Sequence, residues 1–370
     1  MSFSCGIVGL PNAGKSTIFN ALTGAAAQVG PYPFTTIDKN VGVVPLPDPR
    51  LDLVASAFGS RTKTPNTIQV VDIAGLVKGA SRGDGLGNKF LSHIRDVDAI
   101  IHVVRCFSDP KVASAQEGSP VDPERDVSVV TTELCLADLD IVDRRIQGLS
   151  KVAKSGDVDA EKTVARLRHY RTYLNRGVPL RTAGLGETRD LLRTQKELGL
   201  ITGKPVVYLA NVSEPGLEDE ECGRAVETLR ALARREGAAL VEVCGKIEAE
   251  LAELPEDQAR IFAQELGLGR QRVLDAAWAG YRALDLLTFF TANENEARAW
   301  TLRRGSTAYD AAGRVHSDMQ KGFIRAEVVS CDDLKAVGSL AKAREAGLVR
   351  QEGRDYQVRD GDLLYFRFHV

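Results

Sequence analysis

An eight-residue stretch, GLPNAGKS from Gly9 to Ser16, contains the residues of this chain best suited to binding phosphate. It matches the pattern G-x-x-x-x-G-K-[ST] and lies between the apolar run CGIVG and the helical run STIFNAL. In such a loop, backbone N–H groups converge on phosphate oxygens at a helix N-terminus, Lys15 reaches the β- and γ-phosphates, and the Ser16 hydroxyl ligates Mg²⁺. The alternative is a glycine turn that merely caps a helix. The stretch predicts a nucleotide site formed by Asn12, Ala13, Gly14, Lys15, Ser16 and Thr17.

A second segment, TIQVVDIAG, places Asp72 at the end of an apolar run and Gly75 three residues later. In an Asp-x-x-Gly pattern the carboxylate holds a metal-bound water and the glycine N–H faces the γ-phosphate. Thr35 and Thr36, in the proline-bounded stretch PYPFTTID, offer a hydroxyl that could complete the metal shell. We expect Mg²⁺ to be held by Ser16, by Thr36 and, through water, by Asp72.

The residue after Gly75 is Leu76, where a glutamine would orient the attacking water in faster relatives. An apolar side chain cannot align water by hydrogen bonding, so slow intrinsic hydrolysis is expected. The following GLVKGASRGDGLGNKF is rich in glycine, which favours a switch ordered by the γ-phosphate over a plain flexible loop. Lys78 or Arg82 could be brought inward on activation. The predicted catalytic set is Lys15, Asp72, Gly75 and Leu76.

The stretch NVSE, Asn211 to Glu214, stands where Asn-x-x-Asp would indicate guanine recognition. An aspartate accepts both guanine donors, N1–H and the 2-amino group, whereas adenine has an acceptor at N1. The extra methylene of Glu214 moves the carboxylate out of that geometry, and Val212 replaces a lysine that would cover the ring. Asn211, Val212 and Glu214 therefore predict a purine pocket that prefers adenine, with weaker binding of GTP and GDP. The alternative is a strand-to-helix turn with a solvated Glu214.

Composition narrows the class of protein. Hydrophobic residues make up 44% of the 370 residues, enough for real cores, and a net charge of −2 creates no global attraction to nucleic acid or membrane. The six cysteines are far apart, and no apolar run approaches the 18 residues needed to span a bilayer. We expect a cytoplasmic protein with reduced thiols that binds neither membrane nor DNA.

Short apolar runs alternate with helical patterns over the first hundred residues and again at PVVYLAN and ALVEVC. This rhythm predicts an α/β fold with a doubly wound, mainly parallel sheet. Residues 127 to 198 have helical periodicity only, which favours an inserted antiparallel helical hairpin over an ordinary bundle. Two helices, at about 256–266 and 270–286, precede a tail of short alternating strands. That tail predicts a small mixed β domain.

The predicted hairpin is locally basic. It contains Arg166, Arg168 and Arg171 among nine cationic residues between Arg144 and Arg176, interspersed with Tyr170 and Tyr173. Such a surface suits RNA bound by phosphate neutralisation and base stacking. A solvated helix face is the alternative.

Several of these segments resemble the YchF branch of the Obg-like P-loop nucleotidases. They are GLPNAGKSTIFNALT, YPFTTI, DIAGLVKGASRGDGLGNKFL, the NVSE stretch and the tail RAWTLRRG...HSDMQKGFIRAEVVS. The resemblance spans essentially the whole chain. It implies an α/β nucleotide domain, a coiled-coil insertion, a C-terminal ubiquitin-like TGS domain, ATP hydrolysis and association with the ribosome, most simply with ribosomal RNA of the large subunit.

The chain departs from the family pattern at three places. Cys244-Gly245-Lys246 replaces Ser-Ala-Lys, which removes a serine hydroxyl near the base. Ala13 replaces a frequent valine, a change of little consequence because the loop binds through its backbone. No histidine occurs between Phe107 and Asp126, so we assign none to catalysis.

Together these observations predict a Mg²⁺-dependent ATPase that acts as a slow conformational switch on the ribosome. The predicted domains are residues 1–126 with 200–285 for nucleotide binding, 127–199 for the hairpin, and 286–370 for the TGS domain. Two alternatives stay open: a conventional GTPase associated with translation, and a ribosome-binding scaffold whose hydrolysis is incidental.

Overall fold

A computed structural model describes residues 3–28, 36–38, 41–73, 86–108, 121–185, 189–214, 219–266 and 272–369. The chain divides into two compact units, each built from two segments. The first comprises Met1–Val44 and Gln69–Ala283, and the second comprises Pro45–Ile68 and Leu284–Val370.

Among the described residues, seven strands form the first sheet, in the order β2-β3-β5-β1-β6-β7-β8. Their bounds are Ser4–Val8 (β1), Thr36–Asp38 (β2), Val41–Leu46 (β3), Asn66–Asp72 (β5), Ala99–Arg105 (β6), Val206–Asn211 (β7) and Ala239–Val243 (β8). β1 pairs in parallel with β5 and β6, β6 with β7, and β7 with β8, whereas β2 and β3 are antiparallel. The predicted mainly parallel sheet is confirmed.

The sheet register brings the candidate site residues to one edge. Ile7 lies opposite Asp72, and Arg105 lies opposite Asn211, so β5 and β7 end beside the loop that follows β1. In open α/β sheets this edge, outside the carboxyl ends of the strands, is where ligands bind.

The helices of the first unit lie between or after these strands in the sequence. They are α1 (Lys15–Gln28), α3 (Leu86–Asp96), α4 (Pro123–Lys154), α5 (Val158–Leu174), α6 (Arg189–Glu197), α7 (Glu220–Glu236), α8 (Gly245–Glu253), α9 (Glu256–Glu265) and α10 (Val273–Ala283), with a 3₁₀ turn at Leu180–Thr182.

The predicted helical hairpin is present as α4 and α5. The side chain of Asp122 accepts a hydrogen bond from the Arg125 N–H and Pro123 occupies the first turn, which explains why α4 begins before the predicted Val127. Asp157 caps α5 in the same way. The first turns of α4 pack into the main core of the unit, while its later turns form a separate core with α5 around Val142, Leu167 and Tyr170.

The second unit contains a six-stranded sheet of the described residues, in the order β12-β11-β13-β9-β10-β4. Its strands are β4 (Thr62–Thr64), β9 (Leu286–Ala292), β10 (Glu296–Arg303), β11 (Phe323–Ser330), β12 (Arg350–Glu352) and β13 (Asp362–Phe368). Its helices are α2 (Pro49–Phe58), α11 (Ala308–Val315), α12 (Ser317–Lys321), α13 (Cys331–Val337) and α14 (Leu340–Glu345). β4 pairs in parallel with β10, and β9 pairs in parallel with β13, whereas the other neighbouring strands are antiparallel. The predicted mixed β character of the tail is confirmed.

Residues 45–68 differ from the sequence-based expectation. The sequence predicts that they belong to the nucleotide-binding domain, but α2 and β4 pack with the C-terminal segment, where Leu51, Val54 and Ala55 join Phe290 and Leu363 in one core. The predicted domain boundaries otherwise stay a prediction.

Candidate nucleotide-binding site

The loop between β1 and α1 has a backbone that only particular residues can adopt. A Cβ at Gly9 would lie 2.4 Å from the Val103 carbonyl oxygen, and Gly14 has a φ of +94°. Asn12 has a φ of 62°, a left-handed conformation that asparagine tolerates better than most residues. These constraints produce a tight loop that ends at the N-terminus of α1, the arrangement that binds anions through backbone N–H groups.

Lys15, the first residue of α1, is held against this loop. Its side chain is 8% exposed, and its Nζ donates a hydrogen bond of 2.7 Å to the Leu10 carbonyl oxygen. Burial lowers the pKa of Lys15, and the nearby Asp72 carboxylate opposes that shift. A buried ammonium in the first turn of α1 is placed where a phosphate would bind.

Ser16 and Asp72 lie together, as the sequence predicts for a magnesium site. The Ser16 Oγ donates a hydrogen bond of 3.1 Å to Asp72 Oδ2. Both are hard oxygen donors, and nowhere in the described part of the chain do three His, Cys, Asp or Glu side chains gather as a metal site. This donor set fits Mg²⁺, which is usually bound by one or two protein oxygens together with water and substrate phosphates.

Asn211, the last residue of β7, bridges the phosphate loop and helix α8. Its Nδ2 donates to the Ala13 carbonyl oxygen at 3.0 Å, and its Oδ1 accepts from the Gly245 N–H at 3.0 Å. A Cβ at Gly14 would approach Nδ2 to 2.2 Å, so the glycine also makes room for this amide. The residue is 5% exposed, and these two contacts leave one Nδ2 hydrogen and one Oδ1 lone pair for a ligand.

Glu214 and Val212 follow Asn211 in the loop after β7. The Val212 N–H donates to the Val243 carbonyl oxygen at 3.0 Å, which continues the pairing of β7 with β8. Glu214 Oε1 accepts a hydrogen bond of 2.5 Å from Lys246 Nζ, and both side chains are partly exposed. The carboxylate thus has a cationic partner within the protein.

Some predicted site residues lie outside the described residues. They are Gly75, Leu76, Thr35, Lys78 and Arg82, together with most of the glycine-rich segment. Thr36 begins β2, and only its backbone is described. Thr17 lies half-buried in the first turn of α1.

Gly245 and Lys246 are the site residues whose contacts the sequence did not predict. Both occupy the first turn of α8, directly after β8. The signal was their position in Cys244-Gly245-Lys246, which stands in place of Ser-Ala-Lys, but a motif position does not reveal which side chain a lysine will contact. The Gly245 contact needs only a backbone N–H, so the lost serine hydroxyl does not prevent it.

The predicted RNA-binding surface of the hairpin is only partly as expected. Tyr170 is fully buried and its hydroxyl donates to the Leu191 carbonyl oxygen at 3.1 Å, so it cannot stack on a base. The prediction that Tyr170 offers a stacking surface is wrong, because helical periodicity alone does not show which face of a hairpin is buried. Arg171 pairs with Asp143 at 2.7 Å, and Arg166 donates to Thr194 at 2.7 Å. The described hairpin cations that are exposed and form no ion pair in the described structure are Arg145, Lys151, Lys154, Lys162, Arg168 and Arg176.

None of the described helices combines the length and apolar character needed to cross a membrane.

The parallel sheet, the glycine loop before α1 and the Ser16–Asp72 contact define a P-loop nucleotidase. Two family models match the chain: one described as a 50S ribosome-binding GTPase over residues 4–133, and YchF-GTPase_C, described as a protein of unknown function, over residues 286–369. The chain belongs to the YchF family.

Full-length relatives support this assignment. The chain is 48% identical to the ribosome-binding ATPase YchF of Haemophilus ducreyi and 46% identical to that of Bacillus subtilis, with 100% of both chains covered in each case. A solved structure of the Schizosaccharomyces pombe YchF GTPase is 33% identical, with a TM-score of 0.85 and coverage of 99% of this chain and 98% of that one. The resemblance stated from the sequence motifs is confirmed.

Proposed function

We propose that this chain is a Mg²⁺-dependent nucleotide hydrolase that prefers ATP to GTP and acts as a slow conformational switch on the ribosome in the cytoplasm. The relatives are named ribosome-binding ATPases, and the first family model describes a ribosome-binding GTPase. The observation that carries the proposal is the joined site at the sheet edge, where Lys15, Ser16, Asp72 and Asn211 are held by mutual or backbone hydrogen bonds.

The phosphate end of the site provides charge and hydrogen-bond donors. The N-terminus of α1 and the Lys15 ammonium bind the β- and γ-phosphates, while Ser16, Thr36 and a water held by Asp72 provide a shell for Mg²⁺. The ion, when bound, would neutralise charge on the β- and γ-oxygens. Gly75, which lies outside the described residues, is the proposed backbone N–H donor to the γ-phosphate.

Slow turnover follows from the residue after Gly75. Leu76 cannot orient water by a hydrogen bond, so in-line attack depends on Lys15, backbone groups or a group supplied by a partner. A γ-phosphate that orders the following glycine-rich segment would make that segment the switch.

Preference for adenine follows from Glu214 and Val212. A glutamate is one methylene too long for the paired contact that an aspartate makes with guanine, and Val212 has no long stem to cover the ring. Asn211 and the backbone contact purine edges that do not favour guanine. Discrimination arises because a wrong base leaves buried polar groups without partners, at about 1–3 kcal/mol each.

Competition between nucleotides tests this proposal. We expect ATP and ADP to displace a fluorescent nucleotide at lower concentrations than GTP and GDP do, and added ribosomes to accelerate phosphate release from ATP. Tighter binding of GDP than of ADP would instead support the conventional GTPase. Hydrolysis that ribosomes leave unchanged, with intact ribosome binding, would support the scaffold.

The hairpin is the proposed contact with large-subunit ribosomal RNA. Its cationic side chains differ in availability: Arg144, Arg166 and Arg171 contact acidic residues of the protein, whereas Arg145, Arg168 and Arg176 are exposed and have no such pair in the described structure. Exposed guanidinium groups can neutralise phosphates at low cost because no internal contact is lost.

Charge reversal at exposed arginines of the hairpin tests this proposal. We expect Arg145→Glu with Arg168→Glu to weaken cosedimentation with ribosomes at least tenfold and to lower the salt slope by roughly two, or about 0.9 per phosphate contact. Arg260→Glu, on α9 outside the hairpin, is the matched control and should bind normally. Equal binding by the double variant and the control would contradict a role for this surface.

A further inference from the structure

At the base end of the site Glu214 is paired with a lysine, Lys246, to which the proposed function gives no role. Lys246 Nζ donates to Glu214 Oε1 at 2.5 Å. Lys246 is the second residue of α8, and the first, Gly245, is fixed by its N–H bond to Asn211 Oδ1. Asn211 in turn contacts the phosphate loop at Ala13. The side chain of Lys246 therefore starts from a backbone position that Asn211 joins to the phosphate loop.

The direction taken by the Glu214 carboxylate matters for both purines. A free carboxylate near the base attracts the N1–H and 2-amino donors of guanine, even when its reach is imperfect. The same carboxylate repels the lone pair at N1 of adenine. A glutamate that is merely longer than aspartate keeps some attraction for guanine, because its extra rotatable bond lets it bend back toward the ring.

Pairing with Lys246 removes that residual attraction in two ways. One carboxylate oxygen is occupied by the ammonium, and the charge of the carboxylate is opposed at hydrogen-bond distance. The hydrogen bond from Lys246 to Glu214 also raises the pKa of the lysine, so the ammonium stays charged throughout the neutral range.

We propose that Lys246 is a positioning residue for base selectivity, an inference that rests on the proposed nucleotide function. Lys246 holds the Glu214 carboxylate away from the purine and so disfavours guanine. The length of the Glu214 side chain and its pairing with Lys246 both lower the affinity for guanine. A chain with the same Asn-x-x-Glu stretch and no cation at the second position of α8 discriminates less well.

The expected size of the effect is modest. The side chains are 66% and 44% exposed, and exposed ion pairs are weak and screened by salt. Loss of the tether should therefore change the ratio of the GDP and ADP dissociation constants by about threefold to fivefold.

Calorimetric titration of ADP and GDP into the full-length protein tests this inference. Lys246→Met keeps the length of the side chain and removes its charge. It should lower the ratio of the GDP to the ADP dissociation constant about threefold at low salt, and the difference from wild type should shrink in 1 M salt as the wild-type pair is screened. Lys335→Met, at an exposed lysine of α13, is the matched control and should leave the ratio unchanged.

A double-mutant cycle shows whether Lys246 acts through Glu214. In a Glu214→Gln background, Lys246→Met should no longer alter the ratio, because no carboxylate remains to be held. A full effect in that background, or no effect in the wild-type background, would overturn the inference.

The same titrations keep this inference separate from the proposed function. Wild-type protein that binds neither nucleotide, or binds GDP more tightly than ADP, contradicts the proposed function itself. Wild-type protein that prefers ADP, combined with an unchanged ratio in Lys246→Met, contradicts only the role of the lysine.

Discussion

At the scale of single residues, Asn211 organises the site more than it reads the base. Its amide donates to Ala13 and accepts from Gly245, so one side chain joins the phosphate loop to α8 across the edge of the sheet. Because the amide is buried, its removal would leave a backbone carbonyl and a backbone N–H without partners.

Asn211→Ala should therefore weaken all nucleotides alike. Without this side chain the phosphate loop and α8 are no longer joined in the binding geometry, so we expect at least tenfold weaker binding of both ADP and GDP, or about 1.4 kcal/mol, with little change in their ratio. Titration of both nucleotides measures this. A loss confined to one nucleotide would mean that Asn211 contacts the base directly and selectively.

The phosphate site was predictable at this scale because its chemistry depends on a local backbone pattern. Gly9, Gly14, Lys15 and Ser16 lie within eight residues, and Asp72 ends an adjacent strand. The contact between Glu214 and Lys246 was not predictable. It joins the loop after β7 to the first turn of α8, 32 residues further along the chain, and a solvent-exposed lysine has many rotamers that the sequence does not distinguish.

At the scale of elements, a buried carboxylate of the hairpin binds the segment that precedes β7. Asp138 in α4 is fully buried and accepts three hydrogen bonds from Ile201 and Thr202, at 2.7–2.9 Å. Two residues further on, Lys204 donates to the carbonyl oxygens of Ile94 and Arg95, at the C-terminal end of α3. One short stretch before β7 therefore contacts both the hairpin and the helix that follows the proposed switch.

Asp138→Ala should destabilise this junction. It leaves two buried N–H groups unsatisfied, so we expect a loss of about 3 kcal/mol in the free energy of unfolding. Asp140→Ala is the matched control, because Asp140 lies in the same helix and makes only an exposed pair with Arg144, worth less than about 0.5 kcal/mol. Urea denaturation of the three proteins compares these values. Similar midpoints for both variants would contradict the fastening role.

Apolar periodicity predicted whether most elements are helices or strands, but it did not predict which elements pack against each other. The strands and the hairpin were predicted from their apolar spacing. Helix α2 has clear local signals, an Asp48 cap with Pro49 in the first turn and Gly59 at its C-terminus with a φ of +63°. No local signal indicates that its apolar face packs on strands more than two hundred residues away.

At the scale of the whole molecule, the second unit is assembled from distant parts of the chain. β4 pairs in parallel with β10, the Asn66 amide donates to the buried Thr288 hydroxyl at 2.9 Å, and Arg50 pairs with Asp360 at 2.6 Å. The C-terminal family model covers residues 286–369, which omits the N-terminal segment that completes this unit.

This assembly predicts how fragments behave. Residues 284–370 alone lack α2 and β4 and would expose the apolar surface that Leu51 and Val54 cover, so we expect aggregation or loss of cooperative unfolding. Residues 45–68, joined to the fragment by a long Gly/Ser linker, should restore a cooperative transition, because burial of each such side chain contributes about 1.5–3 kcal/mol. Thermal denaturation followed by circular dichroism measures both.

The control for this experiment is the joined fragment with Leu51→Asp and Val54→Asp, which keeps the linker and removes the apolar face. A cooperative transition in the unjoined fragment, equal to that of the joined one, would show that the N-terminal segment is dispensable.

The split origin of the second unit also constrains biosynthesis. Translation at roughly 5–20 residues per second delivers α2 at least ten seconds before the strands that cover it. During that interval the apolar face of α2 lacks the C-terminal strands that cover it in the folded unit. Completion of the polypeptide, rather than emergence of its first half, therefore sets the moment at which the fold can close.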